Sequence, residues 1–467
     1  MLDAVLLWID KNQKRWLGDL NHFLAIPSVS AQPAHDGDMR RAAEWAADYL
    51  KTIGMDARVV DTPRHPAVLA TTPDALCDNS APHVLVYGHY DVQPPEPLDL
   101  WESAPFKPTV RDGKLFARGA SDDKGQVHCH LAALTAWQEI NHGFPCRVTL
   151  LLEGEEEIGS PNFMGVVQAN AELLKTARVV VISDSTLFAP GVPAITYGLR
   201  GLVYFQMWIK GASSDLHSGM YGGAVANPAH ALVEVLGSLH DKGGRVTVPG
   251  FYDAVLAVTA EEQQQWASLP FKDADFADEV GVRQLYGEAG QSTMARRWAR
   301  PTLEINGLTS GYQGPGAKTV LPAEASAKFS CRLVPDQDPK DIARKVEAYV
   351  RKLLHERYGD AVTVAIEEIG AGSPPALTPV DSPAMAAARD ALEIGFGKRP
   401  LITREGGSIP VVTWLKQALG LDTIMVGFGL PTDHIHAPNE KLDLDNYYNG
   451  IRTLAALYDK LAEHLKN

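Results

Sequence analysis

Cysteine is scarce in this chain of 467 residues, and the few present carry no pattern. Cys77, Cys129, Cys146 and Cys331 show no paired spacing, which excludes a disulfide framework and a cysteine-rich zinc site and points to a reducing compartment. Long apolar runs are missing as well: no stretch approaches the ~20 apolar residues that a membrane-crossing helix needs. The opening segment "MLDAVLLWIDKNQKRWLGDL" breaks its apolar residues with Asp3, Asp10, Lys11 and Lys14, as an amphipathic surface helix does and a signal peptide does not. A cytoplasmic location is the expectation. Basic charge is in deficit: the formal net charge is -14, which repels phosphate backbones and anionic lipid heads, so neither nucleic acid nor membrane is expected as a main partner. Internal repeats and low-complexity tracts are absent too. Small molecules and other proteins remain as partners.

What is present is a soluble globular composition, 45% hydrophobic and 21% charged, in a chain too long for one ordinary core. Short β-branched runs, each followed by polar residues, recur at 84–88 ("VLVYG"), 148–154 ("VTLLLEG"), 179–183 ("VVVIS") and 423–429 ("TIMVGFG"). Between them lie helical patterns such as Asp123 to Gly143, with Val127, Leu131, Leu134 and Trp137 on one face. This alternation predicts an α/β layer whose central, mostly parallel sheet is covered on both faces. From about Gly198 the pattern changes. Val203, Phe205, Met207 and Ile209 alternate with polar neighbours, as in a sheet with one buried face. A Gly/Pro-rich joint, "GAGSPPALTPVDSP", follows at 370–383, after which the α/β pattern resumes. The expected organisation is an α/β domain in two halves, 1–197 and 372–467, with a smaller α+β domain inserted at 198–371.

In open α/β sheets, sites form beyond the carboxyl ends of the strands. The polar residues there are His89 and Asp91 after the first run, Glu156 and Glu157 after the second, Asp184 after the third, and His434 and His436 after the fourth; Asp122 opens the helix at 123. Imidazoles and carboxylates without cysteine suit zinc, manganese or cobalt. Because residues i and i+2 share a face in extended backbone, Asp91 is expected behind His89, fixing its tautomer while His89 faces a metal. A His-x-Asp alone is more often a surface turn, and an acidic run such as 153–157 more often a solvated loop; their common placement at strand ends is what favours a site. His128 and His130 look metal-like, but i and i+2 diverge on a helix, so they are assigned to packing.

Together these motifs resemble the M20 family of co-catalytic metallopeptidases, most closely its cytosolic non-specific dipeptidase and carnosinase-like branch. The resemblance rests on "GHYDVQP", "RGASDDKG", "EGEEEIGS", "ISDS", "DLHSGMYGG", "GAKTVLP", "KFSCRLVP", "REGGSIP" and "HAPNEK", nine stretches in family order that span nearly the whole chain. It implies a zinc-peptidase-like catalytic domain with an inserted lid and dimerisation domain, and two divalent metal ions per subunit. His89 and Asp184 would hold one metal, Glu157 and His436 the other, and Asp122 would bridge them. Glu156 would be the general base for a metal-held hydroxide, Asp91 would serve catalysis from behind His89, and Glu155 would be spare. His434 falls outside the match and is assigned a structural place.

The resemblance also implies that Arg332, Gly407 and Ser408 contact the substrate beside Asp184 and His436, and that His217 and Thr319 reach the active site of the neighbouring subunit in a homodimer, with His217 stabilising the oxyanion. Ser408 does not sit in the Gly-x-Ser-x-Gly turn of serine hydrolases, and "SGMYGG" lacks the Lys-Ser/Thr ending of a phosphate loop. The implied reaction is hydrolysis of dipeptides or short peptides with a free C-terminal carboxylate. Deacylation, N-carbamoyl hydrolysis or desuccinylation of N-substituted amino acids is the enzymatic alternative, and a non-catalytic protein of the same fold the remaining one. Where carnosinase-like relatives carry a His followed by Gly-Gly-x-Pro, this chain reads Ala371-Gly372-Ser373-Pro374, so carnosine preference is not implied.

Overall fold

The computed structural model describes residues 1–370 and 372–466. Ala371, on which both the expected domain joint and the departure from carnosinase-like relatives fall, lies outside the described residues. The main strands are β1 (Asp56–Val60), β2 (Ala67–Thr71), β3 (His83–His89), β4 (Arg147–Glu153), β5 (Val179–Ile182), β6 (Ala194–Leu199), β7 (Gly201–Lys210), β8 (Thr302–Ser310), β9 (Glu324–Leu333), β10 (Thr363–Glu368) and β11 (Thr423–Met425). The main helices are α1 (Asp36–Thr52), α2 (Lys124–Asn141), α3 (Pro228–Ser238), α4 (Pro339–Tyr358), α5 (Pro383–Phe396) and α6 (Leu444–His464). Two compact units emerge. One comprises Met1–Tyr197, Thr378–Thr403 and the chain from Trp414 onward; the other comprises Gly198–Leu377 and Arg404–Thr413.

In the first unit, seven strands of a nine-stranded sheet follow the order β1-β2-β4-β3-β5-β11-β6. Its middle is parallel: β3 pairs in parallel with β4 and β5, and β5 with β11. The α/β architecture expected from the sequence is thus borne out. Strands β3 and β5 are buried along their whole length, which is why they read as unbroken apolar runs. Helix α2 is buried from Lys124 through Trp137. It packs against α6, where the Trp137 indole donates to the Ala455 carbonyl at 3.0 Å.

The second unit carries an antiparallel sheet in the order β8-β9-β7-β10. Along β7, buried and half-buried residues alternate strictly; Val203, Phe205, Met207 and Ile209 turn inward against α3 and α4. The expected single-faced sheet is what forms. The inserted unit differs from 198–371 at its far boundary for two reasons. Ala376 and Leu377 pair with Leu199 and Gly198. Residues 404–413 are tied back to it through Arg404 with Glu262, Gly406 with Arg200, and Ser408 with Arg332. Gly407 and Ser408 therefore travel with the inserted unit, although the sequence places them in the second half of the α/β domain.

Candidate metal centre

Strand β3 delivers His89 as its last residue, fully buried. The preceding residue must be glycine. A Cβ on Gly88 would lie 2.6 Å from Val127 Cγ2 and 3.1 Å from Asp123 Oδ2, so only a bare backbone lets α2 press against the strand end. Strand β4 ends at Glu153, and a single helical turn at Glu156–Ile158 follows, carrying Glu156 and Glu157. Asp184 stands two residues beyond β5, and His436 lies in the loop after β11.

Asp122 is held by a cradle the sequence motifs did not advertise. The buried carboxylate of Glu440 accepts backbone N–H groups from Gly119 (2.9 Å), Ser121 (2.9 Å) and Asp122 (3.1 Å), and the Arg118 guanidinium at 2.7 Å. Three amides and a cation converging on one carboxylate shape the loop before α2 and aim Asp122. Its Oδ1 lies 3.1 Å from His89 Nε2, and its Oδ2 lies 2.9 Å from His436 Nε2. Asp184 Oδ2 is 3.8 Å from His89 Nε2, and Glu157 Oε2 is 3.3 Å from His436 Nε2.

The result is two triads sharing one carboxylate, His89–Asp122–Asp184 and Asp122–Glu157–His436, whose ligand atoms lie within 4.8 Å of one another in each. In the first, His89 is buried and Asp122 and Asp184 are half-buried, whereas the His436 side chain of the second is 53% exposed. Burial raises Asp122, but the His436 and His89 imidazoles beside it outweigh that and hold it well below the ordinary carboxylate range. Asp184 is pushed up to about 7 by burial and the Asp122 charge. His436 is raised to about 10 by Asp122 and Glu157. Burial pushes Glu156 up as well, reinforced by Asp184, Glu157 and Asp91 and opposed by His89. Acids and imidazoles crowded this closely suit a site for cations.

The donor set fits divalent cations by a direct test. Nε2 of His89 is buried and makes no hydrogen bond to any described residue, although two carboxylates stand within 4.0 Å of it; a ligand atom aimed at a cation has this geometry. Asp91 behaves otherwise than expected. The acceptor for His89 Nδ1 is the Asp91 main-chain carbonyl at 3.1 Å, while the Asp91 carboxylate stands 3.4 Å away and receives the Glu156 and Glu157 amides at 3.2 and 3.0 Å. Asp91 thus positions the Glu156–Glu157 turn as well as His89. Glu155 is buried and accepts from the amides of His65 and Asn162, a structural staple. His434 is exposed and belongs to neither triad.

Within the inserted unit, Arg332 is the penultimate residue of β9 and donates to Ser408 Oγ at 2.9 Å, and Ser408 donates in turn to the Arg200 carbonyl. That leaves Ser408 engaged with an arginine and a carbonyl and without a base, in keeping with a serine that is no nucleophile. Gly407 accepts the Arg200 amide at 3.2 Å. His217 and Thr319 stand on an exposed two-stranded ladder, where His217 pairs with Val320 and the Ser218 amide donates to the Thr319 carbonyl. The His217 ring accepts the Gly219 amide on Nδ1 at 3.0 Å, so its neutral form carries the proton on Nε2. The residues that motif reading gave no role, Glu440, Arg118 and Gln93, act on ligands; Gln93 donates to Glu157 Oε2 at 2.8 Å. Glu440 lay inside "HAPNEK", but only contact across 318 residues of chain reveals what it grips.

A family model described as peptidase family M20/M25/M40 matches residues 85–460. The chain belongs to this family. Over 473 residues it is 33% identical to a Cys-Gly metallodipeptidase of Schizosaccharomyces pombe, covering 99% of this chain and 98% of that one. A human Beta-Ala-His dipeptidase is 30% identical over 477 residues, covering 99% and 93%. The fold matches the crystal structure of human carnosine dipeptidase 1 with a TM-score of 0.84 at 30% identity, covering 99% of both chains. The family resemblance, the fold class and the status of enzyme, read from the sequence, are borne out: the chain is an M20-family metallopeptidase, and the family implies divalent metal ions. Among the described residues, no helix is long and apolar enough to cross a membrane.

Proposed function

We propose that this metallopeptidase hydrolyses dipeptides and other short peptides bearing a free C-terminal carboxylate. The observation that carries the reading is Asp122, which offers one carboxylate oxygen to each of two imidazole-carboxylate sets. Dipeptidases as the similar proteins support the substrate class and do not favour the deacylase, carbamoyl hydrolase or desuccinylase alternative. His89 and Asp184 would hold one divalent cation, Glu157 and His436 the other, and Asp122 both. Oxygen and nitrogen donors without cysteine suit zinc or manganese, with cobalt also accepted. When bound, such ions polarise the scissile carbonyl and acidify a water to a pKa near 7.

Glu156, beside the ligands and outside both triads, takes the proton of the attacking water and passes it to the leaving amine. Asp91 keeps Glu156 in place through its amide. Asp184 and His436 flank the substrate. Arg332, with Ser408 Oγ and the Gly407 backbone, receives the terminal carboxylate; the planar guanidinium suits a bidentate carboxylate. His217 donates from Nε2 to the oxyanion and Thr319 to the substrate, both from the neighbouring subunit of a homodimer. Exposure of their two-stranded ladder, with Met220, Tyr221, Tyr312 and Leu308 also exposed in the same unit, supports a partner covering it. Four free cysteines support a cytoplasmic location.

A substrate panel on metal-stripped protein reloaded with single metals tests the function. Turnover of dipeptides restored by zinc, manganese or cobalt is expected, and turnover confined to acyl or carbamoyl amino acids rejects it. Mixing His217→Ala and Glu156→Gln proteins should regenerate partial activity after subunit exchange; proven exchange with no recovery removes His217 from the neighbour's site.

A further inference from the structure

One group of arginines in the inserted unit is paired with acids. Arg300 makes a two-pronged contact with Glu288 at 2.7 Å on both nitrogens, Arg245 joins the same carboxylate at 3.2 Å, and Arg404 pairs with Glu262. Each guanidinium in that group has an acid to answer it. Arg200 and Arg332 do not. Both are half-buried, both grip the 406–408 loop, and neither has a carboxylate of the described residues within the 4.0 Å ion-pair distance. Glu304 and Glu405 act on Arg200 only at longer range, and Arg297 adds a further cation nearby.

The two guanidinium groups are neighbours by construction. Arg332 pairs in register with Leu202, two residues beyond Arg200. Arg200 donates from Nε to the Gly406 carbonyl at 3.0 Å, and Arg332 donates to Ser408 at 2.9 Å. Burial and the Arg332 charge bring Arg200 down to about 10, a sign of positive charge with too little to balance it. Both line one cavity of about 900 Å³.

A single terminal carboxylate on Arg332 would leave the second guanidinium partly desolvated and unanswered, a costly arrangement that a second anion relieves. We infer that Arg200 is a specificity residue that reads a side-chain carboxylate on the C-terminal residue of the substrate, so that peptides ending in Asp or Glu are favoured over their Asn and Gln isosteres. The inference rests on the dipeptidase reading above and names the substrate class of that site. A site built to bind a charged group discriminates strongly against the neutral isostere, because its own polar groups are then left unpaired.

The test compares kcat/KM for Ala-Glu with Ala-Gln, and Ala-Asp with Ala-Asn. The members of each pair share backbone and α-carboxylate, so their ratio is insensitive to loosening of the 406–408 loop. The wild-type protein should favour the acid by about tenfold or more. In Arg200→Gln the ratio should collapse to about twofold or less, and Arg200→Lys, which keeps the charge, should retain part of it. A wild-type ratio near one, or a ratio unmoved in Arg200→Gln with an unchanged melting temperature, overturns the inference. Titration calorimetry of the metal-loaded protein with glutarate and with butyrate reads the pair without turnover. Glutarate should bind more tightly than butyrate, and the difference should vanish in Arg200→Gln; equal binding by the wild-type protein counts against the inference. Failure to cleave either member of each pair would instead strike at the dipeptidase reading, and the glutarate titration then decides the role of Arg200.

Discussion

His89 and His436 are pushed up in pKa by the carboxylates around them, whereas His128 and His130 are pushed down to about 3 by burial. All four belong to the same α/β unit. His89 and His436 stand at the carboxyl ends of strands, where separate crossovers bring acids from far along the chain to one point. His128 and His130 stand on α2, two residues apart and divergent: His128 meets the Tyr447 hydroxyl at 2.7 Å, and His130 meets Tyr458 at 2.8 Å and Ser183 at 2.9 Å. Residue type is the same in both regions. The lesson is that carboxylate neighbours turn an imidazole into a charged group or a ligand, while hydroxyl neighbours in a dry layer keep it neutral.

The largest way to break this comparison is metal removal. Chelation should lower kcat/KM by at least about 1000-fold, since several kcal/mol of transition-state stabilisation go with the ions, while far-UV circular dichroism persists because the α2 layer does not depend on them. Elemental analysis should find two ions per chain before treatment; activity untouched by chelators would contradict the assignment. Next in size, Glu156→Gln should cost about 100- to 10,000-fold in kcat with metal content unchanged, and loss of metal instead would make Glu156 a ligand.

The smallest effect sharpens the other side. His130→Gln should leave metal content and KM alone and cost about 1–2 kcal/mol of stability, the range for one or two buried hydrogen bonds. Its pH signature is specific. The folded value near 3 lies below the unfolded value of about 6.5, so the stability from the neutral buried ring is fully present above about pH 6.5 and is lost as pH falls toward 3. Denaturant titrations between pH 6 and 4 should therefore show a slope flatter by about 1.4 kcal/mol per pH unit in the variant. Identical slopes would mean that His130 is protonated in the native state.

Much of this was legible in the chain because periodicity and turn chemistry are local. The unbroken β3 and β5 runs announced a sheet covered on both faces, and the alternation in β7 announced one covered on a single face. His89, Glu156, Glu157 and Asp184 were legible because each lies at or shortly beyond the end of its strand. Asp91 was only half-readable: i+2 spacing put it near His89, but its grip on the Glu156 and Glu157 amides depends on how the next crossover returns. The far boundary of the inserted unit was misplaced because residues 404–413 are held to it by side-chain bonds from Arg200 and Arg332, which no composition shift marks.

The sequence by itself determined the strands, the polar residues waiting at their ends and the exclusion of cysteine chemistry, since these follow from the order of residue types along a few neighbouring positions. Tertiary structure alone decided that Asp122 faces two imidazoles at once, that Glu440 reaches back 318 residues to shape its loop, and that Arg200 and Arg332 stand together with no carboxylate of the described residues within ion-pair distance. Charges act through space, and the dielectric and the neighbours that set their strength exist only once distant segments have packed.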